Sequence, residues 1–307
     1  MFKLYEAVRG GGGNIFMSPY SVSATLMLTM LGTKGESETQ VKQVLGVAGI
    51  PDPHQAYSKL HTSLIGKSKE GAKLTIANRI FSRLGLDIRD SYKKDSLSLY
   101  NGEVELLDFV GDPMGSRNRI NKWVEDQTNN KIKDLIPKGG INALSLILLT
   151  NAIYFKGDWD KAFESSKTKK EKFHVSKSES VMVDMMNMEK KNWIAGESQN
   201  LDCKTLELPY KGKELSMMFI LPNKDDGLSK LESNLTAESF QELTKSMYPQ
   251  DVIVSIPKFK IESSFQLEKV LAGMGIEDIF TRKRISALCW IIHQRALTSL
   301  TSFTRLL

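Results

Sequence analysis

The longest hydrophobic feature of the chain is the run LILLTNAIYFKGDW from Leu146 to Trp159. It opens with consecutive rather than alternating apolar residues, which is typical of a strand covered on both faces. A buried helix is the alternative interpretation. The β-branched and aromatic residues, Asn151 in mid-run and the Lys156-Gly157 stop favour a strand. We therefore predict a central strand around which the other elements pack.

Helical and alternating patterns are interleaved before this run. Ser18-Pro19 is typical of a helix start, with Ser18 as the cap and Pro19 in the first turn. The clearest amphipathic stripe runs from Ser116 to Ile136 and predicts a helix lying across a sheet. We also expect helices over 2–8, 21–31, 35–45, 54–65 and 90–100, and strands over 14–17, 74–82 and 103–108.

The second half of the chain has more strand-like patterns. Lys211-Gly212-Lys213 is a turn between two expected strands, 204–209 and 214–222. Further strands are expected over 172–175, 181–188, 193–196 and 251–261, and helices over 228–232, 237–247 and 265–274. This mixture of elements predicts an α+β fold.

Composition limits the class of protein. With 307 residues, 41% of them hydrophobic and 25% charged, the chain can bury the core of one large domain or two modest ones. Two cysteines, Cys203 and Cys289, form neither a disulfide framework nor a metal-ligand spacing, so we expect no metal and no cofactor. No apolar run is long enough to span a bilayer.

The N-terminal residues carry no signal-peptide pattern, which predicts a cytoplasmic location for the sequence as written. The helix expected over Phe2 to Val8 looks clipped at its start, and an extracellular location follows if the true N-terminus is missing.

The net charge of +6 comes from the last part of the chain. Residues 281–307 contain five basic residues and no acidic ones, and the rest of the chain is close to neutral. We therefore predict no specific nucleic-acid partner.

Candidate chemistry is sparse. The four histidines, His54, His61, His174 and His293, lie in polar, surface-like contexts. There is no GxSxG elbow, HExxH pair or Walker loop. We expect no catalytic residues and no enzyme activity.

Three sequence blocks resemble the serpin family over about residues 2 to 280. These are NIFMSPYSVSATL from Asn14, NKWVEDQTNNKI from Asn121 and LTNAIYFKGDW from Leu149, supported by LELPY from Leu206 and IPKF from Ile256. The resemblance implies a serpin-like α+β fold with a mixed main β-sheet, smaller sheets and about eight helices.

The resemblance also implies a function and a set of sites. Serpins irreversibly inhibit serine, and sometimes cysteine, endopeptidases by inserting a cleaved reactive loop into the main sheet. By position, Ser18, Ser21 and Asn151 match the polar cluster called the shutter, and Trp159 matches the breach where insertion begins. Simpler interpretations remain open, with Ser18 as a helix cap, Ser21 as a small packing residue and Trp159 as core.

The family pattern stops after Phe280. Residues 281–307 have none of the strand, hinge, loop and final strands that a serpin carries there. With permitted codons, Ala296 to Leu307 read two bases later gives SYISDVVHKAS, which is family-like. We therefore predict a serpin-like domain over 1–280, incomplete at its C-terminus, and a frameshifted or alternatively spliced tail over 281–307.

This break changes the expected activity. The full-length form is expected to bind a protease, whereas this chain lacks the reactive loop and is expected to be non-inhibitory. The alternative is a non-inhibitory binding or chaperone-like serpin, or a dead isoform. We also expect an unpaired edge on the Leu146 to Trp159 strand, leading to aggregation or to pairing with Ile285 to Ile292.

Overall fold

The computed structural model describes residues 2–11, 13–68, 71–263, 265, 267–280, 296–300 and 304–305. Over these residues the α-helices are α1 (Phe2–Val8), α2 (Pro19–Gly32), α3 (Glu36–Leu45), α4 (Pro53–Gly66), α5 (Asp90–Tyr100), α6 (Pro113–Gln127), α7 (Leu228–Asn234), α8 (Ala237–Lys245) and α9 (Glu268–Gly273). The strands are β1 (Ala72–Arg83), β2 (Gly102–Leu107), β3 (Ile147–Gly157), β4 (Thr168–His174), β5 (Ser180–Ser198), β6 (Cys203–Pro209), β7 (Ser216–Pro222), β8 (Tyr248–Pro257), β9 (Lys260–Ser263), β10 (Ala296–Leu300) and β11 (Thr304–Arg305).

The run that opened the sequence analysis forms β3, in a mixed sheet of order β2-β1-β3. β1 is parallel to β2 and antiparallel to β3, with Ala72 opposite Gly157 and Ser82 opposite Ile147. The prediction of a strand is confirmed. Among the described residues β3 ends the sheet order, and the unpaired edge expected for the chain as a whole stays a prediction.

Both faces of this sheet are covered, as the unbroken apolar pattern predicted. Leu149 and Ile80 pack into a core formed largely by α2. Their neighbours Leu148 and Phe81 point the opposite way, into a core formed with α6 and the segment after it. Successive side chains of a strand alternate between its faces, so a strand buried on both sides needs apolar residues at consecutive positions.

Helix α2 is buried around most of its surface and begins as the sequence predicted. Ser18 Oγ accepts a hydrogen bond from the Ser21 backbone N–H at 3.2 Å, and Pro19 follows in the first turn. No helix among the described residues is long and apolar enough to cross a membrane.

The amphipathic helix is shorter than its apolar stripe. α6 ends at Gln127 rather than at Ile136, because Asn129 and Asn130 adopt left-handed backbone conformations with φ of 51° and 59°. The Thr128 hydroxyl accepts a hydrogen bond from the Ile132 N–H at 3.0 Å and closes the turn that follows. Ile136 is nevertheless fully buried in the same core as α6.

Residues 14–17 were expected to form a strand, and they do not. The Phe16 N–H donates to Ser263 Oγ at 3.0 Å, and Ser263 Oγ donates to the Asn14 carbonyl at 3.3 Å. A side chain of β9 therefore takes the place of the backbone ladder that a strand requires.

The second sheet has the order β4-β5-β6-β7, with β8 paired to β5 as well. Strand β5 joins two segments predicted separately. Its register against β8 shifts between Lys190 and Trp193, where Asn192 has a φ of 59°. In the third sheet, β10 lies between β9 and β11. The expected partner of the β3 edge, Ile285 to Ile292, lies outside the described residues.

Candidate functional site

A chain of two amides, the buried Asn78 and the half-buried Asn151, crosses the middle of the main sheet. Asn151 on β3 lies directly opposite Asn78 on β1. Asn151 Nδ2 donates to Asn78 Oδ1 at 2.8 Å, and Asn78 Nδ2 donates to the Tyr100 carbonyl at 2.8 Å. This chain links three elements, because Tyr100 is the last residue of α5.

One end of the chain is unsatisfied. Asn151 Oδ1 is buried and has no hydrogen-bond partner within the described part of the protein. Burying a carbonyl oxygen without a donor costs about 1–3 kcal/mol. The middle of β3 therefore presents an acceptor that a donor from a neighbouring group would stabilise.

The predicted shutter serines lie in the first turn of α2, on the side of the sheet that holds Leu149. Ser21 is buried at 7% exposure, and Ser18 caps the helix. The hydrogen bonds of Asn151 run to Asn78 rather than to these serines. The structure thus places Ser18 and Ser21 in one turn, and Asn151 in a separate amide chain.

An aromatic column connects these two groups. Tyr20, between the two serines in sequence, stacks on Tyr57 with ring centroids 5.5 Å apart, and Tyr57 stacks on Tyr100 at 5.1 Å. The Tyr20 hydroxyl and His61 Nδ1 are hydrogen-bonded at 2.7 Å. At the other end, His54 Nδ1 is hydrogen-bonded to the Tyr100 hydroxyl.

The surface-like context expected for two histidines is wrong. His61 is only 6% exposed, because its side chain points from α4 towards Tyr20 on α2. Burial lowers the pKa of His61 below its usual range. Burial also lowers the pKa of His54, with the charges of Asp52 and Glu38 acting in the opposite direction.

Trp159, the predicted breach residue, stacks on Tyr210 just past the end of β3. The ring centroids are 4.6 Å apart and the planes differ by 5°, and the two residues also form a β-bridge. Both residues are buried, and both Trp159 Nε1 and the Tyr210 hydroxyl lack a hydrogen-bond partner in the described structure. The burial of Trp159 agrees with its simpler interpretation as a core residue. The two buried donors, Trp159 Nε1 and the Tyr210 hydroxyl, make no hydrogen bond among the described residues.

A charged network ties α6 to the face of the main sheet. Arg79 on β1 is ion-paired with Glu103 and with Glu105, the latter at 2.7 Å. Arg119 on α6 contacts the same Glu105 at 2.6 Å, and the Arg79 guanidinium lies 5.5 Å from the Trp123 ring centroid. These contacts hold the helix over β1 and β2.

Sequence reasoning missed the partners of the predicted site residues. Asn78, Tyr100 and Tyr210 were not singled out, because each acquires its place only through the pairing of strands distant in sequence. A signal was present for one of them: Asn78 interrupts an otherwise alternating strand, as Asn151 interrupts β3.

Comparison with known proteins identifies this arrangement of elements. The family model described as serpin (serine protease inhibitor) matches residues 1–298. The chain belongs to the serpin family. The leukocyte elastase inhibitor of Xenopus tropicalis is 38% identical over 275 residues, covering 87% of this chain and 72% of the relative. Human serpin B3 is 38% identical over 299 residues, covering 91% of this chain and 76% of the relative.

The fold is shared with solved serpin structures. Emu ovalbumin superposes with a TM-score of 0.91 at 27% sequence identity, covering 99% of this chain and 85% of that chain. The serpin-like α+β fold expected from the sequence is therefore confirmed. The family match runs past Phe280, and the domain boundary at 280 stays a prediction, as do the shutter and breach assignments.

Proposed function

We propose that this serpin-family chain does not itself inhibit a protease, although its family's activity is the irreversible inhibition of serine-type endopeptidases. The observation that carries the proposal is the sequence of residues 281–307, in which the hinge and small-residue loop of the family are absent. Without a loop that a protease can cleave and that can then enter the sheet, no covalent complex can be trapped.

The described part of the main sheet is consistent with this proposal. β3 is hydrogen-bonded along its length to β1 and ends the sheet order on its other side. Loop insertion adds a strand at such an edge. In the proposal the receiving edge is retained, whereas residues 281–307 do not supply the strand that would enter it.

The site residues are assigned roles on the same basis. Ser18, Ser21 and Asn151 form the proposed shutter, with Asn78 added because it holds the Asn151 amide. Trp159 forms the proposed breach with its stacked partner Tyr210. For the full-length form the proposed partner is a serine or cysteine protease, and the proposed location is the cytoplasm.

The experiment is an attempt to trap proteases. Residues 1–307 are incubated with a panel of serine and cysteine proteases, including leukocyte elastase, and the mixtures are run on denaturing gels. We expect cleavage or no reaction, and no detergent-stable complex. The Xenopus leukocyte elastase inhibitor with elastase serves as the positive control, and any covalent complex with residues 1–307 contradicts the proposal.

A second candidate function is that of a non-inhibitory binding or chaperone-like serpin. The remaining alternative is a dead isoform. Apolar strands with open edges recruit other strands, which favours self-association of this chain. A cooperative thermal transition together with stabilisation by a specific ligand supports binding. Aggregation on expression without a cooperative transition supports a dead product. Transcript sequencing across Thr281 decides whether the tail is genuinely encoded.

A further inference from the structure

His61 is the buried ionisable group best placed to act on the main sheet. It projects from α4 against α2, and its only described hydrogen bond joins Nδ1 to the Tyr20 hydroxyl at 2.7 Å. Its second nitrogen, Nε2, is buried without a partner within the described residues. The His61 ring lies 6.2 Å from Tyr57 and 6.4 Å from Tyr20, both nearly parallel to it.

Protonation of this imidazole is unfavourable in either tautomer. If Tyr20 donates to Nδ1, a proton added at Nδ1 removes the acceptor of the tyrosine hydroxyl. If Nδ1 donates to Tyr20, a proton added at Nε2 is buried without an acceptor. Both cases bury a positive charge, and burial is what lowers the pKa of His61.

The groups that face the two histidines differ. Tyr20 from α2 and Tyr57 from α4 face His61, and no charged side chain of the described structure contributes to its shifted pKa. His54 is faced by the Tyr100 hydroxyl and by a mixed set of charges, namely Asp52, Glu38, Lys42 and Lys34. The negative charges of Asp52 and Glu38 partly compensate a proton on His54, and those of Lys42 and Lys34 oppose it. Among the described residues no negative charge compensates a proton on His61.

The Tyr20 end of this contact leads to both halves of the proposed shutter. Tyr20 lies in the first turn of α2, between the capping residue Ser18 and Ser21, whose backbone N–H donates to the Ser18 hydroxyl. Through Tyr57, the same stack reaches Tyr100, whose carbonyl holds Asn78 and thereby Asn151 on β3. A displacement of His61 therefore acts on the start of α2 and on the amide chain across the sheet.

We propose that His61 is a pH-sensitive latch, whose protonation releases α4 from α2 and loosens β3 in the middle of the main sheet. The direction of the effect follows from proton linkage. A histidine with a lowered pKa in the folded state binds more protons when the latch is open, so stability is full above the ordinary pKa of about 6.5 and falls as the pH decreases below it.

The test uses the full chain of residues 1–307 and does not depend on protease trapping. Hydrogen–deuterium exchange protection of the amides of residues 147–157 is compared at pH 7 and pH 5, after correction for intrinsic exchange. We expect the wild-type protection to fall by up to about 25-fold, since opening increases about tenfold per pH unit below the ordinary pKa.

His61→Gln keeps an acceptor for Tyr20 but cannot be protonated. We expect the amide protection of residues 147–157 to fall by no more than about threefold in this variant between pH 7 and pH 5. His54→Gln is the matched control, and we expect it to behave like the wild type. The proposal is overturned if β3 protection in His61→Gln falls between pH 7 and pH 5 as much as in the wild type. It is also overturned if the fall disappears in His54→Gln but not in His61→Gln.

A second measurement covers the case in which His61→Gln does not fold. Histidine ring protons of the wild-type chain are followed by NMR between pH 8 and pH 4.5, with His54→Gln identifying one resonance. We expect His61 to titrate below pH 6.5, together with the loss of β3 protection. A pKa at or above 6.5, or titration without any change in β3, contradicts the latch.

Discussion

At the scale of single residues, Asn78 satisfies two partners at once. Its side chain accepts from Asn151 and donates to the Tyr100 carbonyl, and it is 3% exposed. We expect Asn78→Ala to lower the free energy of unfolding by about 2–3 kcal/mol, because the buried Tyr100 carbonyl and the half-buried Asn151 amide both lose their partner. Urea denaturation measures the change.

A matched control for this prediction is Asn187→Ala. Asn187 also bonds across a sheet, to Glu171 at 2.7 Å, but both of these side chains are partly open to solvent. We expect a loss below about 1 kcal/mol there, because water replaces the lost partner. Equal losses in the two variants would show that burial of the Asn78 chain has no special importance.

The Tyr210 hydroxyl is a polar group whose removal we expect to cost little stability, in contrast to removal of the Asn78 amide. Its hydroxyl is buried without a partner in the described structure, whereas its ring stacks on Trp159. We expect Tyr210→Phe to leave the free energy of unfolding within about 0.5 kcal/mol of wild type or to raise it. We expect Tyr210→Ala to lower it by roughly 3–5 kcal/mol through the lost packing.

Thermal and urea unfolding of both Tyr210 variants provide the comparison. A loss above about 1 kcal/mol in Tyr210→Phe would indicate a hydrogen bond to the hydroxyl that the described residues do not provide.

At the scale of elements, the end of α6 depends on backbone conformation. Asn130 is exposed and has a φ of 59°. We expect Asn130→Gly to be tolerated, and Asn130→Ala to cost about 1–2 kcal/mol, because a Cβ is disfavoured in the left-handed region. Urea unfolding of the pair isolates this effect, since neither substitution changes buried contacts. Equal stabilities of the two variants would contradict it.

Element boundaries show how far sequence reasoning reaches. The type of nearly every long element was predictable, because burial on one or both faces leaves a period of 3.6 or an unbroken apolar run. The end of α6 was not predictable in this way. Ile132, Leu135 and Ile136 continue the helical stripe and are buried, but they reach the core from a turn and an irregular segment.

The candidate site was predictable only in part, for a related reason. Asn151 stands out as a polar residue in an apolar strand, whereas its partner is set by the register between β1 and β3. His61 seemed a surface residue because its sequence neighbours are polar. Its burial comes from the packing of α4 on α2, which a single sequence does not encode locally.

At the scale of the whole molecule, the proposed self-association depends on the edges of the sheets. Ile153 is half-buried on β3, and Ile253 is exposed on β8, each strand being paired on one side only among the described residues. We expect Ile153→Lys to reduce self-association of residues 1–307, because a charge at an edge blocks strand addition. Sedimentation at several concentrations measures the mass.

Ile253→Lys is the matched control, placing the same charge on a strand of the other large sheet. We expect it to leave the mass distribution of the wild type unchanged. If Ile253→Lys disperses the assemblies and Ile153→Lys does not, the association involves β8 and not the β3 edge.

The register between β1 and β3 also constrains the order of events during synthesis. Paired residues lie between 65 positions apart, for Ser82 and Ile147, and 85 positions apart, for Ala72 and Gly157. At about 5–20 residues per second, β1 emerges roughly 3–17 s before its antiparallel partner is complete. Its parallel partner β2 is synthesised before β3 and is available to it earlier. The pairing of β1 with β3 therefore forms only after about half of the 307 residues have been synthesised, and the edge of β1 that faces β3 is open until then.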